Sequence, residues 1–284
     1  VQDALDEVNE TVILDITGVT NATENGTQQE TITITDDDGA PTVTLSTSAA
    51  SIAEAAGVST VTATLSAASA QTVTVTLTAT GTATGGGTDY SLASNTITIN
   101  AGSTTGTTTV TAVQDALDEV NETVILDITG VTNATENGTQ QETITITDDD
   151  PEPTVTLSVN PITITEAAGV STVTATLSAA SSKTVTVTLT ATGTASAGVD
   201  YTLSSNLISI AAGQTSFPVT LTAIQDILVE VNETVILDIT GVTNATENGT
   251  QQEIITITDD DDIPSVTLSV NPINIAEATG VSTV

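Results

Sequence analysis

Residues 72–80 read TVTVTLTAT. Val73, Val75 and Leu77 fall on one side of an extended chain, and Thr72, Thr74, Thr76 and Thr78 on the other. A period of two marks a strand with one buried face, and β-branched threonine suits the outer face of a pleated sheet. Outward from this stretch the alternation recurs between turn glycines at Gly57, Gly81, Gly85 to Gly87, Gly102, Gly130 and Gly138. It predicts seven strands: Thr42 to Ile52 (with a break allowed inside it), Ser59 to Leu65, Thr72 to Thr80, Tyr90 to Ile99, Thr105 to Val113, Glu122 to Ile128 and Glu142 to Thr147. No stretch carries a helical period of useful length. Seven short strands in ~110 residues predict an all-β fold, an immunoglobulin-like β-sandwich. Tyr90, Tyr201 and Phe217 are the only aromatic residues, so the core is aliphatic.

The sandwich is repeated. The 38 residues VQDALDEVNETVILDITGVTNATENGTQQETITITDDD occur at Val1 to Asp38 and, unchanged, at Val113 to Asp150. A third copy, Ile224 to Asp261, differs at four positions: Ile224, Ile227, Val229 and Ile254. The offsets are 112 (Gln2 to Gln114) and 111 (Gln114 to Gln225), a domain-sized period. Short proline-bearing connectors follow each Asp triplet: Gly39-Ala40-Pro41, Pro151-Glu152-Pro153 and Asp262-Ile263-Pro264. Complete repeats are expected at 41–150 and 153–261. They are flanked by the C-terminal part of one repeat at 1–38 and the N-terminal part of another at 264–284. The flanks total 59 residues (38 + 21), too few to close into a domain of this period.

The chain has 36 acidic residues and one basic residue, Lys183, for a net charge of −35, and it has no His, Cys, Met or Trp. Such a surface repels nucleic acid and anionic membranes and attracts cations. No apolar run approaches the ~18 residues of a membrane helix, so no membrane insertion is expected. Without His or Cys, and with no Ser beside a base, the chain is not expected to be an enzyme and no catalytic residue is assigned.

The carboxylates are grouped. In the first complete repeat they stand at Glu54, at Asp89 before Tyr90, along Asp115 to Glu122, and at Asp148 to Asp150. All lie at strand ends or in loops, which a Greek-key sandwich can gather at one pole. Carboxylates that close repel one another unless a cation lies between them. Ca2+ suits such a site because it takes six to eight oxygens in irregular geometry. Zinc lacks its nitrogen and sulfur ligands here.

These residues resemble the Calx-beta domain of sodium–calcium exchangers, of the integrin β4 tail and of bacterial surface proteins. The resemblance is carried by Ala53-Glu54-Ala55, by GTATGGGTDY ending at Tyr90, by QDALDEVNETV from Gln114 and by TITDDD ending at Asp150. The second repeat matches with Glu166, GTASAGVDY ending at Tyr201, QDILVEVNETV from Gln225 and TITDDD ending at Asp261. The resemblance implies tandem seven-strand Calx-beta sandwiches, each binding several Ca2+ ions at one pole. In the first repeat it implies the ligands Glu54, Asp89, Asp115, the Leu117 carbonyl, Glu119, Glu122, Asp148, Asp149 and Asp150. In the second it implies Glu166, Asp200, Asp226, the Leu228 carbonyl, Glu230, Glu233, Asp259, Asp260 and Asp261. Gln114 and Ala116, and Gln225 and Ile227, stand where the exchanger pattern has acids, which removes ligands.

The function expected is structural: a calcium-binding array that forms or stiffens an extracellular surface fibre or adhesin stalk. Its partners are then calcium, neighbouring repeats and other copies of the fibre. The alternative is a Ca2+-dependent adhesive module that binds glycans or a partner protein; near-identity of the repeats favours the spacer. Asn-x-Thr sequons recur in each copy, and Asn133 and Asn137 are the expected acceptors should the source glycosylate them.

Overall fold

A computed structural model describes residues 5–271, 274–278, 281 and 283. These residues contain no helix. The chain falls into two compact units, Val1–Pro151 and Glu152–Val284.

The first unit begins with a hairpin, β1 (Glu10–Asp15) and β2 (Gln29–Ile34). A sandwich follows: β3 (Thr42–Thr47), β4 (Ser51–Ala53), β5 (Val58–Leu65), β6 (Val73–Gly81), β7 (Tyr90–Leu92), β8 (Thr96–Ile99), β9 (Thr105–Ala112), β10 (Glu122–Thr132), β11 (Thr135–Glu136) and β12 (Gln141–Thr147). One sheet has the order β4-β12-β10-β6-β8 and the other β11-β3-β5-β9-β7. The second unit repeats both sheets with β13 (Thr154–Asn160), β14 (Thr163–Thr165), β15 (Val170–Leu177), β16 (Val185–Gly193), β17 (Tyr201–Leu203), β18 (Leu207–Ile210), β19 (Ser216–Ala223), β20 (Glu233–Thr243), β21 (Thr246–Glu247) and β22 (Gln252–Thr258).

Each alternating stretch buries its aliphatic face. In β6, Val73 and Val75 are fully buried and Leu77 nearly so, while the intervening threonines face outward. The core between the sheets is Val, Ile, Leu and Ala with one tyrosine, Tyr90 in the first sandwich and Tyr201 in the second.

The seven expected strands are cut into more pieces. Thr42 to Ile52 divides into β3 and β4, which belong to opposite sheets. Tyr90 to Ile99 divides into β7, paired with β9, and β8, paired with β6. At this second break Ser94 turns the chain: its hydroxyl donates to the Thr96 carbonyl (2.8 Å) and accepts from the Thr96 amide (3.0 Å). The parity of the alternation shifts at each crossing, from Val43 and Leu45 to Ile52 and from Tyr90 and Leu92 to Ile97 and Ile99, while both halves still present an apolar inner face. The Glu122 strand also extends past Ile128 to Thr132 through a bulge at Thr129, where Ile128 faces Leu77 and Gly130 faces Thr76. The two-residue strand β11 was not anticipated.

Gly81 is fixed by geometry. Its φ is +123°, and a Cβ there would lie 2.1 Å from the Thr123 carbonyl oxygen; Gly193 repeats this with φ +122° and 2.1 Å to the oxygen of Thr234.

Of the expected flanking parts of repeats, residues 1–4 and residues 272, 273, 279, 280, 282 and 284 lie outside the described residues. The hairpin β1–β2 has the register of β10–β12, Glu10 facing Ile34 as Glu122 faces Ile146.

Candidate metal centre

Pairing register brings the acidic segments of each sandwich to one pole. Ala53, at the end of β4, lies beside Thr147 at the end of β12; Ile146 faces Glu122, the first residue of β10; and Tyr90 faces Ala112, the last residue of β9. The residues just beyond these ends are Glu54, Asp148 to Asp150, Asp89 and the segment Gln114 to Asn121.

Among the described residues of the first unit the carboxylates meet in two groups of three, Glu54 with Asp115 and Asp150, and Asp89 with Glu119 and Glu122, each with oxygens within 4.8 Å of one another. A cavity of about 10 Å3 lies between them, lined by Glu54, Asp89, Glu119, Glu122 and Asp148. In the second unit the groups are Glu166, Asp226 and Glu230; Glu166, Asp259 and Asp261; and Asp200, Glu230 and Glu233. Asp149 and Asp260 are exposed and join no such group among the described residues. Leu117 and Leu228 lie on turns closed by their own amides, which donate to Asp115 Oδ1 (2.8 Å) and Asp226 Oδ1 (2.6 Å).

Backbone bonds hold the ligand candidates in place. Glu54 is almost fully buried and its Oε1 accepts from the Asp115 amide at 3.0 Å; Glu166 and Asp226 repeat the bond at 3.0 Å. Sequence reasoning missed two positioning residues. Gln114 donates from Nε2 to the Asp115 carbonyl (2.8 Å) and to Asp150 Oδ2 (3.4 Å), a neutral donor among acids. Asn121, a sequon asparagine inside the acidic segment, accepts from the Asp148 amide at 3.2 Å, and Asn9 does the same for Asp36 at 3.0 Å. Their recurrence at the same distance from each Asp triplet was the available signal. Asn133, by contrast, is committed to the fold: at φ 60° it donates from Nδ2 to the Thr72 carbonyl (2.8 Å), which leaves Asn137 the better-placed sequon.

The arrangement fits a hard divalent cation. Asp148 Oδ1, Asp259 Oδ1 and Asp261 Oδ2 are buried with no hydrogen-bond donor, which is costly for a carboxylate and natural for a metal ligand. The grouped carboxylates offer only oxygen as ligand atoms. Protons respond to the same strain. Glu122 is pushed up to about 7, first by desolvation, then by its hydrogen bond to Asp89 and by Asp89's charge. Burial and neighbouring acids also raise Glu54, Glu119, Asp150, Glu166, Glu230, Glu233 and Asp261.

The family model of the Calx-beta domain matches residues 35–150 and 148–261, most of the chain. The chain belongs to the Calx-beta family. Among solved structures, CBD12 from CALX1.2 is 12% identical with a TM-score of 0.35, covering 76% of this chain and 99% of its own. The apo form of the Calx CBD1 domain is 22% identical with a TM-score of 0.34, covering 38% of this chain and 99% of its own. The calcium binding domain CBD12 of CALX1.1 is 11% identical with a TM-score of 0.34, covering 73% and 96%. No curated protein matches the sequence.

The raised acids make the metal-free Calx-beta poles unusual in their response to pH. A carboxyl whose folded pKa lies above its unfolded value contributes stability below the unfolded value and loses it as pH rises through the folded one. For Glu122 that window runs from 4.5 to about 7. With divalent ions chelated, the melting temperature is therefore higher at pH 5 than at pH 8. Scanning calorimetry across this range checks the sign; a rise with pH would show that these carboxyls are not crowded in the folded protein.

Proposed function

We propose that the chain is a non-catalytic, calcium-binding structural array that forms or stiffens an extracellular surface fibre or adhesin stalk. The observation that carries this reading is the repeated gathering of carboxylates, with orphaned buried oxygens, at the pole that ends in Asp150 and Asp261, immediately before the proline-bearing connectors. The domains are those read from the sequence, 41–150 and 153–261. The ligands are the acids and leucine carbonyls named above, with Asp149 and Asp260 open to complete coordination from the solvent side. About two to four divalent ions per repeat offset most of the charge of each pole. Outside a cell Ca2+ is abundant, so the modest affinity of about 10⁻⁴–10⁻³ M found for extracellular modules is enough. Binding to the folded state adds to its stability and orders the loops that lead into the connector.

The test is solution scattering on the whole chain. With Ca2+ the distance distribution is narrow and the maximum dimension well defined. On chelation the distribution broadens while the sheet signal in circular dichroism persists. Equal widths in both conditions would assign the geometry to the prolines alone and remove the stiffening role.

A further inference from the structure

The acidic segment of a repeat does more than face its own pole. In the first copy this segment reads Leu5-Asp6-Glu7, and Asp6 lies against the loop between β5 and β6 of the following repeat. The Asp6 carbonyl accepts from the Ala70 amide at 3.0 Å. The Ser69 hydroxyl lies 3.0 Å from Asp6 Oδ2 and 3.3 Å from the Asp6 carbonyl. Asp6 and Ser69 form a parallel bridge, a backbone pairing as well as a side-chain contact. Ser69 is a rigid anchor: it is 1% exposed, its hydroxyl accepts from the Gln71 amide at 3.0 Å, and its carbonyl accepts from the Gly102 amide at 2.8 Å.

The corresponding position of the second copy, Asp118, belongs to none of the three-carboxylate groups, although Asp115 and Glu119 on either side of it do. We propose that Asp6 is a clasp that fastens the partial repeat ending at Asp38 to Ser69 of the β5–β6 loop in the repeat that follows it. The inference rests on the array reading and gives it a joint: the same short segment supplies ligands to the metal pole and a grip on the neighbouring repeat.

The chain has no cysteine, so a cross-link tests the contact directly. Asp6→Cys with Ser69→Cys is compared with Asp6→Cys and Ser91→Cys, the second partner being an exposed residue of β7. Under mild oxidation by oxidised glutathione in Ca2+, the first pair forms an intramolecular disulfide at least about tenfold faster, read by peptide mass spectrometry. Equal rates overturn the clasp. Because Ser69 is buried, hydrogen exchange on the unaltered chain gives a second reading: the Ala70 amide is protected, and exchange at the rate of an unstructured peptide overturns the clasp as well. The calcium-induced melting shift is measured on the same samples, so failure of the clasp is distinguished from failure of the calcium reading.

Discussion

Ca2+ raises the melting temperature of this chain by about 20 °C or more over the same protein in chelator, given about 4–8 °C for each kcal/mol in a domain of this size. Each ion that binds only the folded state adds about 2.7 kcal/mol when its free concentration is one hundred times its Kd. Two ions per repeat contribute about 5 kcal/mol, comparable with the whole stability of an ordinary domain. The effect is large because the metal-free pole is unfavourable in itself, with carboxylates crowded within 4.8 Å and buried oxygens lacking donors. Asp148→Asn with Asp149→Asn reduces the shift of the first repeat and leaves that of the second nearly intact, since the two poles share no ligand. Calorimetry on both proteins checks this. An unchanged melting temperature would remove calcium from the account; equal loss in both repeats would reassign the ligands.

Leu126→Ala destabilises the first sandwich by roughly 3 kcal/mol, whereas Leu14→Ala costs well under about 1 kcal/mol. The two leucines sit in identical 38-residue sequences, but Leu126 is fully buried in β10 between β6 and β12, and Leu14 in β1 is 55% exposed. Leu126→Ala leaves a cavity in a core whose one aromatic side chain is Tyr90. Urea unfolding of both variants is the measurement. Equal losses would show that the β1–β2 hairpin buries its apolar face as β10–β12 does.

Much of the fold was legible because alternation marks burial directly. The run TVTVTLTAT placed β6 within one residue at each end, and the grouped acids marked the segments that meet at the pole. Sheet membership was not legible. At the β3–β4 and β7–β8 crossings the alternation shifts parity, from Leu45 to Ile52 and from Leu92 to Ile97, but an apolar face suits either sheet, so the shift alone does not say which sheet each half joins. The division of labour among the acids was equally hidden. Asp118 and Glu119 are neighbours of the same charge type, yet only Glu119 joins a three-carboxylate group, and the backbone path through the segment decides which does.

The identical copies separate what local sequence determines from what packing decides. Hairpin and register follow from the 38 residues alone: β1–β2 and β10–β12 pair the same residues, and Asn21 and Asn133 share φ 60° at the same turn. Burial does not follow. Val12, Leu14, Ile32 and Ile34 are 42–55% exposed, while their counterparts Val124, Leu126, Ile144 and Ile146 are at most 5% exposed, because β6, β4 and the opposing sheet cover the second set. The stretch VTLSVN makes the same point. At 155–160 it is a strand, β13, held by β15 and β21; at 266–271 it has only an isolated bridge at Asn271, and Val266 is 96% exposed. Strand propensity is a property of the segment, but a strand's hydrogen bonds and its buried face are supplied by neighbours distant in sequence. The metal pole is subject to the same rule: the sequence supplies the carboxylates, and only the closed sandwich brings them within reach of one ion.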